Sequence, residues 1–154
     1  MENIFEIEIE KINNAVREFV RSISEEYDCR MAKDFGACLA ENVVEWSIIY
    51  IDTAGEAFYN NFVSRFPQAE GFNLFTLSIL HEVGHFETEW EMEDETELRA
   101  VNEMSNDDYF NLFNERIATD WAGEWIENNF NEALALDNKF NKILKNFFEE
   151  VLDK

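Results

Sequence analysis

Apolar residues recur near the start of the chain at spacings of four and three: Phe5, Ile9, Ile12, Val16, Phe19 and Ile23. That period holds them on one face of a helix, predicted over about residues 3–27. Phe140, Leu144, Phe147 and Val151 repeat the pattern and predict a second helix over about residues 132–152. Between 35 and 52 the pattern changes. Val43, Val44, Trp46, Ile48, Ile49, Tyr50 and Ile51 are β-branched or aromatic, and Glu41-Asn42 has turn character, so one or two short strands are expected. Phe58, Phe62 and Phe66, four apart, predict a helix over 54–66, which Pro67 and Gly71 end.

Residues 73–88 are apolar on nearly every face, the pattern of a helix buried in the middle of a fold. The acidic stretch 89–107 reads as a loop with a short helix. Residues 108–129 form an amphipathic helix with Phe110, Phe113, Ile117, Trp121 and Trp125 as its apolar stripe. The class expected is α+β, mostly helical, with a small antiparallel sheet. One proline, five glycines and no repeat or linker favour a single domain over 1–154.

Composition narrows the field. The chain has 154 residues, of which 46% are hydrophobic and 15% aromatic, enough for one substantial core. Twelve basic residues face 34 acidic ones, a net charge of −22. Such a chain is repelled by phosphate backbones and anionic membrane surfaces, so no direct nucleic-acid binding and no membrane are expected. Its aromatic content is too high for an acidic disordered segment. The N-terminus lacks the basic-then-apolar layout of a signal peptide, and a cytoplasmic location is expected. Two cysteines make no disulfide framework; Cys38 reads as a small buried side chain and Cys29 as a loop thiol.

The chemistry sits in the buried segment. His81-Glu82-Val83-Gly84-His85 is H-E-x-x-H, and these are the chain's two histidines. Four residues is about one helical turn, so both imidazoles reach one Zn²⁺ from the same face. Glu82 stands beside them, placed for the general base of a metallohydrolase. As a buried carboxylate it would be costly without a metal nearby. Gly84 leaves room for a neighbouring element to pack on the helix.

A catalytic zinc takes three protein ligands and keeps one open position. With no third histidine, the remaining ligand is an acid or a thiol. Thr88 and Glu91 occupy the positions where a metzincin has Gly and His, which excludes that pattern. Glu115 is the leading candidate for the third ligand. Its helical face continues through Ala118, Thr119 and Ala122, small residues that let two helices approach closely. Asp120, Glu103, Asp107 and Asp108 are the alternatives.

The order H-E-x-G-H, then after about thirty residues E-x-x-A-x-x-W-A (Glu115, Ala118, Trp121, Ala122), resembles the ImmA/IrrE-type metallopeptidases. More distantly it resembles the gluzincins, such as thermolysin. The likeness is best over residues 72–127. Phe35-Gly36-Ala37-Cys38, Trp46 and the phrase from Glu115 to Ala122 are also similar to small metallopeptidase-like proteins of phages and mobile elements. The resemblance implies His81, His85 and Glu115 as zinc ligands, Glu82 as catalytic carboxylate, and a zincin-like fold with the motif helix against a short sheet. It also implies a cytoplasmic protein substrate, of the class of DNA-binding repressors.

Three positions depart from these patterns. Thr119 stands where thermolysin has an Asp that holds a zinc histidine, with Asp120 one residue on. Ile117 stands where many ImmA-like sequences have Glu. No histidine is left to steady an oxyanion; Tyr109 and Arg116 lie near enough in sequence to be considered, though a surface or packing role is the simpler one for each. A strand near 44–51 could pair with an extended peptide, with Trp46 and Tyr50 as lining residues, although core packing is simpler for both.

The expected function is therefore a zinc-dependent endopeptidase hydrolysing a peptide bond in a protein substrate. The alternative is a non-enzymatic acidic decoy for a DNA-binding protein, with a structural or vestigial zinc site. The acidic run Glu87, Glu89, Glu91, Glu93, Asp94, Glu95 and Glu97 reads first as a solvated segment, and second as a field that steers a basic partner.

Overall fold

The structure, a computed structural model, describes residues 4–31, 43–46, 53–88 and 113–152. For residues 45, 53–55, 113–115, 151 and 152 it describes the backbone alone. The elements in order are α1 (Ile4–Ile23), β1 (Asp28–Met31), β2 (Val43–Trp46), α2 (Thr53–Arg65), a 3₁₀ turn (Pro67–Ala69), α3 (Leu74–Glu87), α4 (Phe113–Asn128) and α5 (Phe130–Phe147). A single π turn, Phe148–Leu152, follows α5. The described chain is mostly helical, and none of its helices is long and apolar enough to cross a membrane.

Two compact units emerge: residues 1–47 with 131–154, and residues 48–130. In the first, α1 turns Ile12, Ala15, Val16, Phe19 and Val20 inward, the face its spacing demands. Phe5 stays exposed, with its ring edge-on to Phe147. The helix stops at Ile23, earlier than the pattern suggests, because the chain turns at Ser24: Tyr27 N–H donates to the Ser24 carbonyl at 3.0 Å. Ala133, Phe140, Leu144 and Phe147 line the buried face of α5. Lys139 on α5 pairs with Glu18 on α1 at 2.9 Å.

The sheet corrects the sequence reading. Among the described residues it has two strands and they run parallel, Asp28 opposite Val43 and Met31 opposite Trp46. A tight hairpin can only reverse a chain, whereas parallel partners need a longer crossover. The partner of β2 is the upstream segment Asp28–Met31, which is too short and polar to show a strand period: Cys29 is buried and Arg30 exposed. Cys29 is thus a buried strand residue and no loop thiol. Within this unit β1 packs on α1. Trp46 is a core residue, 2% exposed, and its Nε1 donates to Asn13 Oδ1 at 2.7 Å. The Glu41-Asn42 turn, Cys38, Ile48–Ile51 with Tyr50, and the stretch 89–107 lie outside the described residues.

In the second unit, Pro67 opens the 3₁₀ turn and Gly71 takes a positive φ of 91°, so the chain reverses between α2 and α3. Asn73 caps α3, its side chain accepting from Phe75 N–H at 2.8 Å. Helix α3 is buried on most sides through Phe75, Thr76, Leu77, Ile79, Leu80, His81, Val83 and Gly84. Its main neighbour is α4. The buried face of α4 is Ala118, Thr119, Ala122, Gly123 and Ile126. Ile117, Trp121 and Trp125, expected as the apolar stripe, are half-buried instead. Small residues win the inner face because neighbours lie too close for large ones: the backbone of Ala118 meets Gly84 of α3, and a side chain at Gly123 would collide with the ring of Phe66, just past α2.

Candidate metal centre

The motif falls in the C-terminal half of α3, where helical geometry sets His81 and His85 one turn apart on one face. Their Nε2 atoms are 3.1 Å apart, and the rings meet edge-to-face with centroids 4.6 Å apart. Glu82 completes a group whose ligand atoms lie within 4.8 Å of one another, and this group could hold a metal ion. His81 is buried, whereas Glu82 and His85 are half-buried. The group therefore lies where a buried helix meets solvent. Glu82 is less buried than its apolar flanks suggest, so the cost of leaving its carboxylate unpaired is smaller than full burial would impose.

Two other helices fix the His81 ring. Thr119 on α4, itself 4% exposed, places Oγ1 3.0 Å from His81 Nδ1. On α2, the Phe58 ring stands edge-on to the imidazole, with centroids 5.3 Å apart. The sequence puts Phe58 on a helical stripe with Phe62 and Phe66, but nothing in that spacing shows that one ring of the three meets a histidine.

Of the third-ligand candidates, Glu115 lies in the first turn of α4, and its side chain is outside the described residues. The helical register places position 115 one turn before Thr119 and three residues before Ala118, on the face that meets α3. Asp120 pairs with Arg65 on α2, which turns its carboxylate to another task. Glu103, Asp107 and Asp108 lie outside the described residues, as does Tyr109. Arg116 is exposed.

The donor set suits a divalent ion. Two imidazole nitrogens on one tetrahedral ion at about 2.0–2.1 Å are separated by roughly 3.3–3.4 Å. The observed 3.1 Å is within a few tenths of that, so the spacing of the two nitrogens fits one ion. Comparison of the chain with family models, with curated proteins and with solved structures gives no match.

Proposed function

We propose that the protein is a zinc-dependent endopeptidase acting on a cytoplasmic protein, with His81, His85 and Glu115 holding the ion and Glu82 as general base. The observation that carries this reading is the Nε2 pair at 3.1 Å with the Glu82 carboxylate in the same group. A structural zinc site would want four protein ligands and has no use for Glu82. The position of residue 115 on the α4 face that meets α3 supports the third ligand, and a zincin-like arrangement of motif helix and crossing helix with it.

Zinc, when bound, supplies Lewis acidity and makes water reactive near neutral pH. The chain's own residues do the rest. His81 and His85 present their Nε2 lone pairs from adjacent turns. Glu82, next to His81 in sequence and still open to solvent, accepts a proton on its carboxylate from the attacking water and returns it to the leaving amine nitrogen. Phe58, edge-on to the buried His81 ring, holds that ring from one side. The motif's resemblance to ImmA/IrrE-type enzymes points to a repressor as substrate.

The test is a zinc count per purified chain together with capture of the partner. The wild type is expected to carry about one zinc, which His81→Ala loses and Glu82→Gln keeps. Glu82→Gln should hold its partner uncut where the wild type cleaves it. The net charge of −22 favours a second reading, an acidic decoy for a basic protein. A folded Glu82→Gln variant with undiminished biological effect would select the decoy and reject the peptidase.

A further inference from the structure

We infer that Thr119 is the positioning residue of this centre: its hydroxyl, in place of the carboxylate usual beside a zinc histidine, selects the tautomer of His81. The contact is Oγ1 to Nδ1 at 3.0 Å, with both residues buried. The Thr119 hydroxyl can accept as well as donate. His81 Nε2 lies 3.1 Å from His85 Nε2, on the side where an ion would be held, so its lone pair belongs there and the ring proton falls on Nδ1, which donates to Oγ1. Nε2 is left with the lone pair, aimed toward His85 Nε2. The close crossing of α3 and α4 at Gly84 and Ala118 holds this contact in place.

A hydroxyl accepts a hydrogen bond without adding charge. It orients the ring as a carboxylate does, but raises the basicity of Nε2 less. The centre would thus be ordered by Thr119 while carrying one negative charge fewer than an Asp at that position would give. This role rests on the reading above, and the tautomer is read without metal so that the two can fail separately.

The experiment has two arms, run on the full chain. Two-bond ¹H–¹⁵N correlation of metal-free protein at alkaline pH reads the His81 tautomer directly. The Nδ1–H form is expected in the wild type and in Thr119→Ser, and a loss of that preference in Thr119→Val. Zinc affinity, measured by competition with a chromophoric chelator, should weaken about 10- to 100-fold in Thr119→Val and stay near wild type in Thr119→Ser. Should Thr119→Val fail to fold, Thr119→Ala takes its place. An Nε2–H form in the wild type overturns the inference, as does a Thr119→Val protein with unchanged tautomer and zinc affinity. A wild type that binds no zinc but shows the Thr119-dependent tautomer overturns the metal reading and leaves the positioning role standing.

Discussion

The carbonyl oxygen of Ala118 lies so close to Gly84 that a Cβ on that glycine would stand 2.5 Å from it. Here the motif helix touches the backbone of the helix that carries Thr119. The touching atom belongs to a main chain and cannot rotate aside, so one methyl group forces α3 and α4 apart. Alanine also brings about 1 kcal/mol of helix propensity over glycine. Overpacking typically costs about 1–3 kcal/mol and should outweigh it. Gly84→Ala is expected to lower the denaturant midpoint and to weaken zinc binding together. An equally stable variant with native metal affinity would show that the crossing is looser than described.

Asp120 offers a sharper separation of roles. Its carboxylate pairs with Arg65, joining α4 to α2, and both side chains are partly exposed. Asp120→Asn should therefore cost no more than about 1 kcal/mol of stability and leave the zinc count unchanged. Loss of zinc in a folded Asp120→Asn protein would make this residue the third ligand in place of Glu115.

Cys29 should be a slow thiol. Burial pushes its pKa up to about 11, and Sγ lies 3.2 Å from Asn13 Oδ1. In a Cys38→Ser background, native Cys29 is expected to react with an aromatic disulfide reagent far more slowly than the same chain in denaturant. The raised value also means that this group's contribution to stability is full below 9.0, the unfolded value, and declines as pH climbs toward 11. Native labelling as fast as unfolded labelling would place the thiol at the surface.

Asp28 gives an acid-side signature of opposite sign. The hydrogen bond from Arg17 Nε at 2.7 Å, then that from the Cys29 backbone N–H at 2.8 Å, hold its pKa below the usual 3.8. A lowered folded value adds stability above the unfolded pKa, and that stability disappears as pH falls through the folded one. Both partners are partly exposed, so the effect is at most about 1 kcal/mol. Asp28→Asn should be less stable than wild type at neutral pH, with the gap narrowing in acid below 3.8. A gap that stays constant with pH would remove the ion pair from the account.

Much of this was written in local periodicity. The faces of α1 and α5, the breaks at Pro67 and Gly71, and the burial of α3 on most sides follow from spacing, because helix burial is a property of neighbouring turns. The pairing of His81 with His85 is legible for the same reason: residues four apart on a helix share a face wherever the helix goes. The sheet was not legible. Asp28–Met31 has too few residues to display a period, and its pairing with Val43–Trp46 depends on chain path rather than on local preference. Trp46 reads first as a core residue and is one, but its hydrogen bond to the Asn13 side chain, distant in sequence, has no local signal.

The sequence by itself determined that two imidazoles and a carboxylate share one buried helix in a strongly acidic chain. Only the tertiary structure decided what surrounds them: Thr119 on the Nδ1 side of His81, Phe58 across its ring, and Asp120 turned away to Arg65. Such contacts join residues on different helices, and their geometry follows from how closely those helices pack. That closeness is set at Gly84 and Ala118, where two small residues meet across a crossing that no one-dimensional pattern records.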